Sequence, residues 1–255
     1  MYPELLRIGN FAISSFGLMV ALAFLAGYWI ASLEFKRKKL DDKLLGNILL
    51  LSMLGGIGGA KLMYIFENVP LSDFISSPFT HIFSRGGLTF YGGFIGAVLL
   101  FWILTVKNKV SFFKVMDAMA PALAIGHSIG RIGCFLVGDD YGIKSDVPWA
   151  VAFPKGLPPT TDPVHPTQVY EVILMGLIFF VLWKLRKRNT PDGWLFSILI
   201  ILAGIERFLI EFIRSTTPSP IPDLSVAQLI AIGLIVIGIL KIISIKNKPA
   251  SKKTA

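Results

Sequence analysis

The chain of 255 residues is 54% hydrophobic and 16% charged, a composition that excludes a water-soluble globular domain and is typical of membrane proteins. Its 25 lysines and arginines outnumber its 16 aspartates and glutamates, but they are spread over short connections, a pattern that argues against nucleic-acid binding. The single cysteine, Cys134, excludes an internal disulfide, and the spacing of the histidines predicts no metal site.

Seven apolar segments follow one another along the chain, each long enough to cross or nearly cross a hydrocarbon core about 30 Å thick. They cover residues 11–33, 44–66, 86–106, 115–137, 167–183, 194–213 and 226–245. The basic residues follow the first segment instead of preceding it, so we expect this segment to stay in the protein and not to be removed as a signal peptide. The predicted fold class is an all-α polytopic membrane protein.

The distribution of lysine and arginine predicts the orientation, because cytoplasmic loops are enriched in both. With the N-terminus outside, 17 of the 25 lie on the cytoplasmic side, 5 on the outer side and 3 within the segments. We therefore predict an N-out, C-in arrangement. Residues 1–245 form a single transmembrane domain with an irregular outer loop at 138–166, and residues 246–255 form a basic cytoplasmic tail.

Several charged residues fall inside the apolar segments, where one near the bilayer centre costs about 2.5 to 3.5 kcal/mol on insertion scales. His127 and Arg131 share one helix face, as do Arg207 and Glu211, because each pair is four residues apart. Either Arg207 and Glu211 are a structural ion pair, or the arginines bind a phospholipid phosphate, which guanidinium groups hold bidentately. For Lys61, a structural explanation is that its long side chain extends from the second segment to the membrane interface.

Glycine-rich stretches at residues 55–60 and 92–96 lie in the second and third segments. Small residues allow helix backbones to approach closely in membranes. We therefore predict that these glycines pack one helix against another, and that their role is structural first and functional second.

Five motifs together resemble the prolipoprotein diacylglyceryl transferase family almost from end to end. The first is G-R-I-G-C-F at residues 130–135, followed by G-D-D-Y-G at 138–142. The others are G-A-K-L-M-Y at 59–64, G-G-L-T-F-Y-G-G at 86–93, H-P-T-Q-V-Y-E at 165–171, and the pattern R-x-x-x-E-x-x-R at 207–214. Their order and spacing, more than any single motif, carry the resemblance.

The resemblance implies a bacterial cytoplasmic-membrane enzyme whose active site faces the periplasm or outer leaflet and which needs no cofactor or metal. Its partners would be phosphatidylglycerol, prolipoprotein signal peptides with a lipobox cysteine, and the lipid bilayer. The residues that match the family's catalytic or substrate-binding positions, together with others of the same motifs, are Lys61, Tyr64, Tyr91, Arg131, Asp139, Gly142, His165, Tyr170, Glu171, Arg207, Glu211 and Arg214. Arg131 and Arg207 would hold the phosphate, and Glu211 would orient Arg207.

The chain departs from the family at Phe16, Tyr91, Cys134 and Asp139, where the family usually has Tyr, His, Asn and Glu. Because the histidine at position 91 is absent, we predict that His127 is the general base, since imidazole exchanges protons near neutral pH. Alternatively, Tyr91 donates a hydrogen bond to the phosphate and water takes the thiol proton. For Cys134 we favour a buried packing role over that of a nucleophile.

Other functions stay open at this stage. A CDP-alcohol phosphotransferase would require a D-G-x-x-A-R pattern, which the chain lacks. A membrane transporter for an anionic substrate is supported by the intramembrane charges and opposed by the absence of an internal repeat. A divergent family member with changed or lost activity is the third alternative.

Overall fold

The computed structural model describes residues 2–8, 11–84, 87, 89–214 and 223–247 and is mostly helical, as predicted. In chain order its elements are β1 Glu4–Ile8, β2 Phe11–Ser14, α1 Ser15–Arg37, α2 Asp42–Asn68, α3 Leu71–Ser76, α4 Pro78–Phe83, α5 Phe90–Lys107, α6 Phe112–Val137, β3 Val151–Phe153, β4 Thr160–Val164, α7 Thr167–Leu185, α8 Trp194–Ile210 and α9 Val226–Lys246. A single 3-10 turn, Glu211–Ile213, directly follows α8.

Five of the described helices, α1, α2, α6, α7 and α9, are long and apolar enough to cross a membrane. Helices α5 and α8 are also apolar, with 18 and 17 residues. Each of the seven predicted segments therefore contains one long helix, and the chain is a multi-pass membrane protein. Of the predicted basic tail, Lys246 and Asn247 are described, and residues 248–255 lie outside the described residues.

Two predicted segments begin earlier than their helices do. Residues 11–14 form β2, which pairs antiparallel with β1, because apolar character alone does not distinguish a strand from a helix. The helix that was predicted to start at residue 86 begins at Phe90. Gly87 precedes it with a φ of +75°, a left-handed conformation that favours glycine and interrupts a helix. Gly86 and Leu88 of the same motif lie outside the described residues.

The helices belong to two compact units, which are described separately: Met1–Glu34 with Met116–Ala255, and Phe35–Val115. In the first unit, apolar side chains of α6, α7 and α8 form a buried cluster around Ala120, Leu182 and Leu199. At one end of this cluster, the buried carboxylate of Asp117 accepts hydrogen bonds from the backbone N–H groups of Gly193 (2.9 Å) and Phe196 (2.8 Å). An acidic side chain of α6 thereby satisfies the free N–H groups at the start of α8.

In the second unit, α2 and α5 pack through the predicted glycines. A Cβ atom added to Gly55 would lie 2.6 Å from the carbonyl oxygen of Gly96, and one added to Gly59 would overlap the carbonyl oxygen of Gly92. The scaffold role of these glycines is confirmed, because any larger side chain at the crossing would separate the two helices.

The crossing predicts opposite effects of alanine at two adjacent positions of α2. Gly59→Ala should destabilise the protein by about 1 to 3 kcal/mol, because its methyl group meets backbone atoms that cannot move independently. Gly58→Ala is the matched control: no atom lies within 4 Å of the added Cβ, so we expect a neutral or stabilising effect. Thermal unfolding of both purified variants in one detergent measures the difference, and equal melting temperatures would contradict the packing argument.

Candidate active site

Two arginines and two carboxylates form a closed ring near the ends of α6 and of the 3-10 turn and the beginning of α7. Arg131 of α6 contacts Glu171 through Nε (2.5 Å) and Asp140 through Nη1 (2.8 Å). Arg214, directly after the turn, contacts Asp140 through Nη2 (2.8 Å) and Glu171 through Nη1 (3.4 Å). Each guanidinium group therefore bridges the same two carboxylates, in the forked geometry that suits arginine.

The four side chains of this ring differ in exposure. Glu171 is 1% exposed, whereas the Asp140 side chain is 46% exposed. Arg131 and Arg214 lie between them at 16% and 11%. A buried carboxylate is tolerated only when its charge is paired, so the two arginines make the position of Glu171 possible. Asp140 is the member of the ring that faces the outside.

His127 lies one turn before Arg131 on α6, as the sequence spacing predicted. Its Nε2 is 3.6 Å from Glu171 Oε2, and its side chain is 44% exposed. The imidazole thus combines contact with a buried carboxylate and access to the surroundings. This is the arrangement that a proton acceptor requires, with a third group that orients the ring.

Arg207 of α8 and Glu211 of the 3-10 turn form an ion pair, one of the two alternatives that the sequence left open, with 2.9 Å between Nη2 and Oε2. The other Glu211 oxygen accepts a hydrogen bond from the hydroxyl of Ser225 at 2.8 Å. Arg207 Nη1 is buried and has no hydrogen-bond partner among the residues that the structure describes. One nitrogen of this guanidinium group is therefore not used by the residues that the structure describes.

Glu206 lies near both sets of arginines and is 5% exposed. The charges of Glu171, Arg207, Arg131 and Arg214 all act on its carboxylate. One of its oxygens, Oε1, is buried without a hydrogen-bond partner within the described part of the chain. The sequence placed Glu206 beside the Arg207 pair, and the structure brings it into the same electrostatic neighbourhood as Arg131.

Hydrogen bonds to the backbone of the loop at residues 138–166 hold Asp140 in place. The side chains of Thr167 and Gln168 donate hydrogen bonds to the carbonyl oxygens of Asp140 (2.8 Å) and Asp139 (2.5 Å). The backbone N–H of Gly142 donates to the His165 carbonyl at 2.9 Å. A Cβ on Gly142 would lie 2.8 Å from the side chains of both His165 and Thr167, so this position requires glycine.

The two adjacent aspartates of this loop have opposite pKa shifts. Burial raises the pKa of Asp139 above that of an ordinary aspartate. Burial would raise the pKa of Asp140 as well, but the guanidinium groups of Arg214 and Arg131 outweigh it and hold the pKa below its ordinary value. Asp140 is therefore the anionic partner of the arginines, and Asp139 carries the more weakly acidic carboxyl.

His165 and Tyr170 form a polar pair beside this loop. His165 Nδ1 is 3.2 Å from the Tyr170 hydroxyl, which also accepts a hydrogen bond from Trp149 Nε1 at 2.6 Å. The match to the H-P-T-Q-V-Y-E motif predicted the first two residues. Trp149 was not predicted, since nothing in the loop sequence distinguishes it from a tryptophan at a membrane interface.

The remaining predicted site residues, Lys61, Tyr64 and Tyr91, belong to the unit Phe35–Val115. Lys61 is buried, and its ammonium group donates hydrogen bonds to the Ser84 hydroxyl (2.7 Å) and carbonyl oxygen (3.0 Å). The same ammonium group lies 5.6 Å from the centre of the Tyr64 ring. Tyr91 is half-exposed in the first turn of α5. Lys61 therefore joins α2 to the segment that follows α4.

Asp140 is the residue of the ring that the sequence interpretation missed. The motif drew attention to Asp139, whose position matches an acidic residue of the family, but the neighbour supplies both arginine contacts. The sequence did contain a signal for it, since Asp140 is the second acidic residue of the D-D pair and the chain has three arginines within or next to the apolar segments that could pair with it. Both residues are aspartates, and the sequence does not show which side chain points towards the arginines. Only the conformation of the loop distinguishes them.

Cys134 is buried, with its Sγ 3.7 Å from Arg131 Nη1. Its sulfur and the carboxylates of Asp139 and Asp140 lie within 4.8 Å of one another, a spacing that could accommodate a metal ion. However, Arg131 and Arg214 already neutralise Asp140, and a cation there would be repelled by both. The burial of Cys134 is consistent with the predicted packing role.

Comparison with known proteins identifies similar chains over almost the whole length. The family model described as prolipoprotein diacylglyceryl transferase matches residues 3–244. Three curated relatives, each named phosphatidylglycerol--prolipoprotein diacylglyceryl transferase, come from Bordetella avium strain 197N, Clostridium tetani strain Massachusetts / E88 and Pseudomonas aeruginosa strain PAO1. They are 36%, 32% and 32% identical to the chain. The alignments cover 83%, 94% and 99% of this chain and 81%, 96% and 97% of the relatives.

The lowered pKa of Asp140 predicts how its contribution to stability depends on pH. A carboxylate whose pKa is lower in the folded state stabilises the protein above its unfolded-state pKa of about 3.9. This contribution is lost as the pH falls through the lower folded-state pKa. Asp140→Asn should therefore melt below the wild type at neutral pH, and the gap should close in strong acid.

Melting temperatures of the wild type and Asp140→Asn from about pH 7 to about pH 2 measure this gap. Asparagine tolerates the left-handed φ of 58° at this position, so the substitution removes charge without adding backbone strain. Asp162→Asn, which breaks the exposed pair with Lys144, is the control and should change little at any pH. A gap that stays constant in acid would show that Asp140 does not act through its charge.

Proposed function

The chain belongs to the prolipoprotein diacylglyceryl transferase family, and from this premise we propose that it transfers the diacylglyceryl group of phosphatidylglycerol to the lipobox cysteine of a prolipoprotein. The enzyme acts in the bacterial cytoplasmic membrane, with its site facing the periplasm or outer leaflet and its N-terminus outside. The charge count supports this orientation, since the arginine ring lies at the helix ends that the count assigns to the outer side.

The reaction breaks one bond and forms one bond. The cysteine sulfur attacks the glycerol carbon that carries the phosphate, a thioether C–S bond forms, and the C–O bond breaks. The electron pair of that bond leaves on glycerol phosphate, and the thiol proton passes to a base. The site must therefore hold the phosphate, stabilise its added charge and accept a proton.

The observation that carries the proposal is the group of arginines at one end of the first unit, one of which has an unused donor. Arg207 Nη1 is buried without a hydrogen-bond partner in the described part of the chain. Arg131 and Arg214 are oriented by Glu171, whose burial keeps both in place. Arginines that are positioned before the substrate binds stabilise the departing phosphate without further reorganisation.

The substrate phosphate takes the place of Asp140 between Arg131 and Arg214. Asp140 is the most exposed member of the ring and lies on a loop, whereas Glu171 is buried within helix α7. A phosphate oxygen pair and a carboxylate present similar bidentate geometry to guanidinium groups. The exchange leaves Glu171 as the fixed counter-charge and brings the phosphate next to the half-exposed His127.

The remaining site residues keep the roles that the family motifs imply. Glu211 orients Arg207 through their ion pair, and the Gly142 turn supports Asp139 and Asp140. His165 and Tyr170 form a polar pair beside the loop and are proposed to contact the headgroup or the peptide. Lys61, Tyr64 and Tyr91 in the second unit are proposed site residues on the strength of their motifs.

The transferase activity is tested with purified protein, phosphatidylglycerol and a lipobox peptide, and the thioether-linked diacylglyceryl product is detected by mass spectrometry. The wild type should form the product, whereas Arg131→Gln and Arg207→Gln should each lower the rate at least about 10²-fold, as loss of a transition-state donor does. Arg7→Gln, which breaks an exposed ion pair, is the matched control and should keep wild-type activity. A silent wild type beside an active control enzyme would favour changed or lost activity.

The proposed base predicts a pH-dependent defect in His127→Ala. At neutral pH this variant should be about 10² to 10⁴-fold slower, because the thiol of the acceptor cysteine loses its proton acceptor. At alkaline pH the defect should shrink, since a free cysteine ionises without help above a pKa of about 8.5. Rates across this pH range measure the effect. Full activity of His127→Ala at neutral pH would remove His127 as the base and support water as acceptor, with Tyr91 on the phosphate.

A further inference from the structure

A second cationic site lies in the unit Phe35–Val115, in a cleft with a volume of about 330 Å³. Two short connections line it, one between α1 and α2 and the other between α5 and α6. Three lysines contribute to its wall, Lys39, Lys109 and Lys114, together with the single carboxylate of Asp41. The cleft lies at the helix ends that the charge count assigns to the cytoplasm.

The two connections have the same backbone structure. Lys39 has a φ of 54° and Lys109 a φ of 55°, and each follows the last turn of its helix. The next residue closes the helix in the same way: Leu40 N–H bonds to the Phe35 carbonyl (2.9 Å), and Val110 N–H bonds to the Thr105 carbonyl (3.0 Å). The cleft is therefore framed by two equivalent turns, each with a lysine at its left-handed position.

The local backbone conformation or helix dipole disfavours lysine at all three positions. A left-handed backbone favours glycine over lysine, so Lys39 and Lys109 carry a conformational cost. Lys114 lies in the first turn of α6, where the helix dipole is positive and disfavours a cation. Within the part of the chain that the structure describes, none of the three ammonium groups has a hydrogen-bond or ion-pair partner.

We propose that this cleft binds the phosphate group of an anionic phospholipid from the adjacent leaflet. A phosphate there would be attracted by three unpaired ammonium groups and by the positive end of α6. Asp41, which caps α2 by accepting the N–H of Lys43 at 2.9 Å, reduces the attraction only in part, because it supplies one negative charge against three positive charges. Basic clefts at helix ends recognise lipid headgroups by this combination of fixed charge and membrane contact.

The proposal is independent of the transferase activity, because none of the cleft residues belongs to the arginine ring or to its motifs. A soluble phosphate would present the same chemistry, so the experiment separates the two sources. Native mass spectrometry of the detergent-solubilised full-length protein counts retained phosphatidylserine molecules. In a second arm, thermal unfolding measures any stabilisation by millimolar inorganic phosphate without lipid.

The test variant is Lys39→Gly with Lys109→Gly, which removes two charges and places glycine where the backbone favours it. It should fold at least as well as the wild type and retain the lipid about tenfold or more weakly, as loss of two lysines at a headgroup site implies. The control is Lys184→Gln with Lys187→Gln, which removes the same charge from the same predicted side outside the cleft. It should retain the lipid as the wild type does.

The outcomes are distinct. If only inorganic phosphate stabilises the wild type and the double glycine variant loses that effect, the cleft is a soluble-anion site and the lipid assignment is overturned. Equal lipid retention in all three proteins, or equal loss in both double variants, overturns the site itself, since bulk charge would then explain the binding. Should the double glycine variant fail to fold, Lys114→Gln tests the same cleft and must weaken retention for the proposal to stand.

Discussion

The pairing of one buried carboxylate with two arginines is the constraint on which the rest of the candidate site depends. Glu171 of α7 is 1% exposed, and neither its charge nor those of Arg131 and Arg214 is tolerable alone in a membrane helix bundle. Because the two guanidinium groups come from different segments of the chain, satisfying Glu171 also brings α6, α7 and the turn after α8 together. One electrostatic requirement thereby determines both the packing of the helix ends and the direction of the arginines.

The loop at residues 138–166 gives this centre an exposed partner, which we propose the substrate phosphate replaces. Asp140 completes the ring but lies at the surface, and side chains of the adjacent helix α7 hold its backbone. An enzyme that accepts a lipid phosphate needs arginines that are oriented but not permanently neutralised, since a fully buried counter-charge would compete with the substrate. Dividing the two counter-charges between a buried glutamate and an exposed aspartate meets both requirements.

Three of the four departures from the family pattern, at Phe16, Cys134 and Asp139, belong to the same unit as this centre, and none of the four replaces an arginine. Cys134 is packed against Arg131, and Phe16 packs against Gly133 on the adjacent helix face, so both substitutions are accommodated within the helix contacts. Because Tyr91 stands where the family usually has His, we propose that proton transfer falls to another group. His127, beside Glu171, is the group in the first unit whose chemistry and exposure suit that task. Under this proposal the substitutions change how the proton is moved, whereas the arginines that would hold the phosphate are unchanged.

The sequence by itself determined the membrane class, the position of the long helices to within a few residues, the glycine crossing of α2 and α5, and most residues of the site. These features depend on local properties, namely the length of an apolar run, the size of a side chain and the four-residue spacing on a helix. The tertiary structure alone decided that Arg131 shares its carboxylates with Arg214, while Arg207 is paired with Glu211. It also decided that Asp140 and not Asp139 closes the ring, because the left-handed backbone at Asp140 and hydrogen bonds from residues more than 20 positions away direct that side chain. Contacts between distant segments arise from the packing of the whole chain, and no local pattern encodes them.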